Sequence, residues 1–84
     1  MIKLWHETAW NDYEFWQSQD KKTLRRFNSL IKDIERNGYN GPGKPEPLKG
    51  NLSGWWSVRI DAANRLVFQI KESVLEIYAC KEHY

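Results

Sequence analysis

The stretch WWSVRIDAANRLVFQIKESVLEIYACK, residues 55–81, decides the fold because it holds three apolar runs separated by turn residues. The runs cover residues 55–61, 65–70 and 73–81. In the first run Val58 and Ile60 lie on one face of a strand, while Ser57 and Arg59 lie on the other. The stretch therefore predicts three strands joined as an antiparallel meander.

Two helices are predicted upstream of this meander, after a short first strand at residues 2–6. Apolar residues recur at helical spacing in both segments: Ala9, Trp10, Tyr13 and Trp16, then Leu24, Phe27, Ile31 and Ile34. Asp20 opens the second helix, and Gly38 follows it as a stop signal. The short polar link between the helices predicts a helical hairpin whose apolar stripes face a sheet.

The segment that joins the second helix to the meander contains all three prolines and four of the five glycines. Proline cannot donate to a strand ladder, so this segment is predicted to be a loop. Residues 1–84 are therefore predicted to form one α+β domain, in the order β-α-α-β-β-β. The helical hairpin packs on one face of a mainly antiparallel four-stranded sheet and leaves the other face accessible for a site.

Composition narrows the class of protein. The 84 residues are 40% hydrophobic and 29% charged, with a formal net charge of only +2, so affinity for a polyanion must come from charge distribution. A single cysteine excludes an intrachain disulfide, and the N-terminus lacks a long apolar segment. Both observations predict a cytoplasmic protein that does not enter a membrane.

Glu46 stands between two prolines in GKPEPLKG, residues 43–50. Either the prolines only stiffen a surface loop, or they present one carboxylate at a fixed position. Arg59 and Arg65, with Lys49 at the loop exit, are either solvated side chains that pair with Glu76 or an anion-binding patch suited to phosphate.

His83 next to the chain end is the hardest residue to explain structurally. Counting alternation from Leu75, Ile77 and Ala79 places it on the core side of the last strand. A twist, bulge or bend after Cys80 would be needed to bring it to the open face.

The second helix also carries basic residues away from its apolar stripe, diluted by two acidic ones. These are Lys22, Arg25, Arg26, Lys32 and Arg36. They form either an ordinary solvated helix face or a footprint for a phosphate backbone. His6 and Cys80 are assigned to structure, and the cysteine and histidine spacing does not suit a metal site. No metal or cofactor is predicted.

One carboxylate, one imidazole, several cationic side chains and a terminal phenol fit metal-free cleavage of an RNA phosphodiester. In that reaction a base removes the 2′-hydroxyl proton, cations neutralise the phosphorane, and an acid protonates the leaving 5′-oxygen.

The stretches GKPEPLKGNLSGWWSVRI, NRLVF and the terminal CKEHY together resemble the YoeB/Txe toxins of bacterial toxin–antitoxin modules, within the RelE/ParE superfamily. The resemblance extends from LWHETAWNDYEFW to Tyr84. It implies a ribosome-dependent endoribonuclease that cuts the mRNA codon in the ribosomal A site. It also implies a YefM/Axe-like antitoxin partner, and contact of the helix cations with ribosomal RNA.

By position, the resemblance makes Glu46 the general base, His83 the general acid, and Arg65 the phosphate-stabilising residue. Tyr84 becomes a stacking or positioning residue, with Lys49 and Arg59 as auxiliary cations. The chain departs from the family pattern at three positions near Arg65. Family members often carry an acidic residue and a histidine where this chain has Ala63 and Asn64, and an aromatic with a hydroxyl where it has Phe68.

Two alternative functions stay open at this point. A ParE-like toxin that binds DNA gyrase would share the fold without needing an acid and a base, and a non-catalytic RNA- or protein-binding module would need only the cations. Exposed aromatics such as Trp10 or Trp16 could also support a homodimer.

Overall fold

The computed structural model describes residues 1–81, which contain two helices and five strands. The predicted first strand, helical hairpin and three-stranded meander are all present. The elements are β1 (Ile2–Trp5), α1 (Glu7–Gln19), α2 (Lys21–Asn37), β2 (Glu46–Pro47), β3 (Trp56–Arg59), β4 (Arg65–Lys71) and β5 (Val74–Ala79). No helix in these 81 residues is both long and apolar enough to cross a membrane.

The sheet has the strand order β1-β5-β4-β3-β2. Strand β1 runs parallel to β5, and the other pairs are antiparallel. The α+β fold class is confirmed, but the sheet is five-stranded and mixed, where four strands were predicted. The extra strand is β2, whose Glu46 pairs with Ser57. Pro47 is tolerated there because β2 is an edge strand.

Helix α2 supplies much of the core. Its first turn is capped by Asp20, whose Oδ1 accepts a hydrogen bond from the backbone N–H of Thr23 at 3.0 Å. It ends at Gly38, which adopts a φ of 61° that favours glycine. Most of the predicted apolar stripe is buried, namely Phe27, Ile31 and Ile34, together with Leu30.

Aromatic side chains fill the space between the helices and β1. The Phe27 ring lies 5.8 Å from Trp5, 5.5 Å from Tyr13 and 5.7 Å from Trp16, measured between ring centroids. Trp16 is only 2% exposed, so the prediction that it is an exposed aromatic available for a dimer contact is wrong. Trp10 keeps 43% of its surface exposed and still offers such a contact.

Candidate active site on the open face of the sheet

The face of the sheet away from the helices, called the open face below, brings together residues from four strands. Glu46 on β2 pairs with Ser57 on β3, and Ser57 pairs with Val67 on β4. Val67 in turn pairs with Ala79 on β5. Because paired residues of adjacent strands face the same side, these positions form one row across the sheet.

The two sequence-predicted arginines lie beside this row. Arg59 on β3 is directly opposite Arg65 on β4. The Nη1 group of Arg65 donates a hydrogen bond to the Ser57 hydroxyl at 3.0 Å, which fixes the guanidinium against the row. Within residues 1–81 neither arginine forms an ion pair. Like charges on opposed strand positions repel, so a bound anion would relieve this repulsion.

Glu46 and Lys49 are both exposed and lie at the edge of the same region. Glu46 is held in extended conformation by its pairing with Ser57, and Lys49 immediately precedes a 3-10 turn, Gly50–Leu52. The structure therefore brings Glu46, Arg59 and Arg65 onto one face on three successive strands, with Lys49 in the loop that leaves β2.

A β-bulge in β5 changes the parity on which the position of His83 was argued. Val67 pairs with Ala79 but its neighbour Phe68 pairs with Ile77, which leaves Tyr78 as an extra residue. Beyond the bulge it is Cys80 that faces the helices, since its thiol donates a hydrogen bond to the Ala9 carbonyl at 3.4 Å. The alternation counted from Leu75 therefore breaks before Cys80 rather than after it.

Two predicted catalytic residues, His83 and Tyr84, lie outside the described residues. The part of the chain that leads to them is anchored on α1. The Lys81 ammonium lies 4.2 Å from the centroid of the Phe15 ring, and the backbone N–H of Cys80 donates to Asp12 at 3.5 Å.

His6, assigned to structure from the sequence, lies at the open face next to Tyr78. Its Nε2 donates to Oε2 of Glu76 at 2.6 Å, and Gln69 donates to the other carboxylate oxygen at 2.8 Å. Glu76 is thus the partner of His6 and Gln69, and it does not pair with Arg59 or Arg65 as the sequence allowed. These hydrogen bonds, led by the one from His6, lower the pKa of Glu76 below its ordinary value of 4.5.

The lowered pKa of Glu76 gives a pH prediction. The ionised carboxylate is favoured in the folded chain, so its contribution to the free energy of unfolding is complete above pH 4.5 and is lost as the pH falls through the lowered pKa. We expect the difference in unfolding free energy between the wild type and Glu76→Gln to shrink as the pH falls below 4.5. Urea denaturation across this range, with the exposed Glu72→Gln as control, measures the difference; growth of the difference on acidification would contradict the prediction.

The helix α2 cations lie on the other side of the molecule from the open face. Lys22, Arg25, Arg26, Lys32 and Arg36 are all exposed. Arg26 is partly committed to structure, because its Nε donates to the Ile60 carbonyl at 3.1 Å. A groove of about 270 Å³ beside Arg26 also contains Asp20 and Asp61. The positive surface at the start of α2 is therefore interrupted by carboxylates.

The three departures from the family pattern have separate structural roles. Asp61 accepts hydrogen bonds from the backbone N–H groups of Ala63 and Asn64, each at 2.8 Å, and so shapes the turn between β3 and β4. Phe68 is fully buried in the core under the helices. The missing hydroxyl at Phe68 therefore concerns core packing, where it could not touch a substrate on the open face.

Sequence reasoning missed the part that Ser57 plays in the site. Ser57 is 1% exposed and joins Glu46 to Arg65 through its strand pairing and its hydroxyl. The signal was present in the alternation of residues 55–61, which placed Ser57 on the same face as Arg59.

Metal ligands are not clustered in the described part of the chain: residues 1–81 contain no group of three or more His, Cys, Asp or Glu side chains placed to hold an ion.

Burial raises the pKa of the Cys80 thiol, which keeps this side chain protonated and unreactive.

Comparison with solved structures places this architecture in a class of small bacterial toxins. A YoeB/ParE toxin from Agrobacterium tumefaciens superposes with a TM-score of 0.95 at 43% identity, with both chains covered completely. Two structures from Staphylococcus aureus, a heterotetrameric YoeB–YefM toxin–antitoxin complex and a YoeB dimer, each give a TM-score of 0.92 at 41% identity. Each covers all of this chain and 98% of its own.

The family itself follows from the sequence match. Toxin YoeB of Escherichia coli K12 is 49% identical over 84 residues, covering 100% of both chains. Residues 5–84 match the model of the YoeB-like toxins of bacterial type II toxin–antitoxin systems. The chain belongs to this YoeB-like toxin family.

Proposed function

We propose that this toxin is a ribosome-dependent endoribonuclease that cuts mRNA in the ribosomal A site and thereby stops translation. The observation that carries the proposal is the placement of Glu46, Arg59 and Arg65 on one open face, with Arg65 fixed by Ser57 and neither arginine in an ion pair within residues 1–81. A carboxylate on the same sheet face as two guanidinium groups suits a phosphodiester, because the cations attract the anion and the carboxylate accepts a proton.

In the proposed reaction Glu46 takes the proton from the 2′-hydroxyl, and the 2′-oxygen attacks the adjacent phosphorus. Arg65 stabilises the charge that develops on the phosphorane, with Arg59 and Lys49 as further cations. The bond to the 5′-oxygen breaks as His83 donates a proton to it, and Tyr84 positions a base. The products are a 2′,3′-cyclic phosphate, which water can open to a 3′-phosphate, and a 5′-hydroxyl end.

The proposed partners are a YefM-like antitoxin, the ribosome and mRNA in the cytoplasm. The S. aureus relative is solved both as a YoeB–YefM heterotetramer and as a YoeB dimer. An acidic antitoxin segment would suit the open face here because Arg59 and Arg65 stand opposite each other. Because the S. aureus relative is also solved as a dimer, a homodimer is proposed here, with the exposed Trp10 as a candidate contact.

Mapping the ends of cut mRNA tests the proposed function. We expect induction of the wild type to produce primer-extension stops within the codon in the A site of a translated reporter, with 5′-hydroxyl ends, and no stops on the same RNA without ribosomes. Chelation that leaves the ribosomes intact is expected to leave cutting unchanged. Gyrase inhibition without any mRNA cutting would instead support the ParE-like alternative.

A further inference from the structure

Three aromatic side chains form a second feature on the open face, called the aromatic cluster here: His6, Trp55 and Tyr78. The ring centroids are 5.6 Å apart for His6 and Trp55, 5.2 Å for His6 and Tyr78, and 5.2 Å for Trp55 and Tyr78. All three side chains are half-buried, so each holds the others in place while part of its surface stays in contact with solvent.

The aromatic cluster lies directly beside the row that carries the candidate chemistry. Trp55 is two residues before Ser57 on the same face, a distance of about 7 Å along a strand. Its carbonyl accepts a hydrogen bond from Leu48 at 2.9 Å, which ties it to the strand segment that carries Glu46. Tyr78 is the bulged residue next to Ala79, at the other end of the row. The rings of Trp55 and Tyr78 therefore bridge β3 and β5 above β4.

Hydrogen bonds behind the aromatic cluster fix its orientation. Glu76 joins His6 and Gln69 through its two carboxylate oxygens, at 2.6 Å and 2.8 Å. Gln69 is 8% exposed, so this support lies in the sheet itself rather than in a loop. A preorganised set of rings loses little conformational entropy when a ligand stacks on it.

We propose that the aromatic cluster is a nucleobase subsite, which binds one unpaired base of the mRNA next to the phosphate held by Arg59 and Arg65. This inference rests on the proposed function. Every RNA base has a π-face, and stacking on aromatic side chains beside a cationic groove is how proteins hold single-stranded RNA. The arginine pair supplies the cations. Trp55 is four residues from Arg59 along the chain, about 13 Å in a strand, and the Arg65 guanidinium extends towards the aromatic cluster as far as the Ser57 hydroxyl.

An mRNA with an abasic ribonucleotide tests the subsite, since it keeps the ribose and phosphate and removes only the base. One abasic ribonucleotide is placed in turn at each position of the A-site codon, and kcat/KM for cutting is measured on programmed ribosomes. For the wild type we expect one position at which the missing base lowers kcat/KM by roughly 5- to 150-fold. Trp55→Leu is expected to show a similar loss on intact mRNA and no more than about a twofold further loss on the abasic mRNA.

Trp10→Leu is the matched control, because Trp10 is an exposed indole on α1 and lies away from the open face. It is expected to keep the wild-type sensitivity to the abasic position. Tyr78→Leu repeats the test if Trp55→Leu does not fold, as judged by circular dichroism. Suppose that the wild type cuts mRNA, and that Trp55→Leu and Tyr78→Leu lose as much kcat/KM on the abasic mRNA as the wild type does. The nucleobase subsite is then overturned, while the proposed function stands. If the wild type does not cut intact mRNA, the proposed function and the subsite are overturned together.

Discussion

Replacing Glu46 with glutamine should lower the rate of mRNA cutting on ribosomes by about 10²- to 10⁴-fold, the usual contribution of a general base. The amide keeps the size of the carboxylate but cannot accept the 2′-hydroxyl proton. The fold should not change, because Glu46 is exposed and joins the sheet through the backbone pairing of β2 with Ser57, which glutamine keeps. Single-turnover cutting of a defined mRNA, with the unfolding free energy of both proteins, measures the two effects separately.

Glu14→Gln is the control for this substitution, since Glu14 is an exposed carboxylate on α1. It removes the same charge from the other side of the molecule and should leave the cutting rate unchanged. The acid is tested beside the base with His83→Gln, and the double variant should lose much less than the product of the two single losses, because the two groups act in one step. Equal cutting by the wild type and Glu46→Gln would remove Glu46 from the proposed mechanism.

Replacing Phe27 with alanine should lower the free energy of unfolding by about 3–5 kcal/mol, the usual cost of removing a buried phenyl ring. Phe27 is 1% exposed, and its ring contacts Trp5, Tyr13 and Trp16 between the helices and β1. At roughly 0.05–0.15 kcal/mol per residue, a chain of this size has only about 4–13 kcal/mol in total. If the unfolding free energy of the wild type lies at the lower end of this range, the Phe27→Ala variant should therefore be largely unfolded.

Phe15→Ala is the matched control for the core, because Phe15 is 45% exposed and its ring contacts the Lys81 ammonium at 4.2 Å. We expect a loss of about 1 kcal/mol or less, the size of an exposed cation–π contact. Urea denaturation of the three proteins gives the comparison. Equal losses for the two alanine variants would show that the Phe27 ring is not the packing centre that its contacts indicate.

Local patterns in the sequence were sufficient for the helices and the long strands. The Asp20 cap, the Gly38 stop and the stripe through Phe27 and Ile34 are set by interactions within a few residues, and all are present in the structure. The strand β2 could not be found in this way, because two residues, one of them a proline, have no period. It exists only because β3 offers an edge on which Glu46 can pair with Ser57.

In the candidate site, too, some features follow from the local sequence and others only from the tertiary structure. By itself, the sequence determined which residue types are available, Glu46 between prolines and arginines at 59 and 65, and the alternation that places Ser57 with Arg59. Only the tertiary structure decided that Arg65 is fixed by Ser57, that Glu76 binds His6, and that a bulge at Tyr78 breaks the parity of β5. The physical reason is that strand register and bulges depend on residues far apart in the chain, whereas caps and periodicity depend on near neighbours.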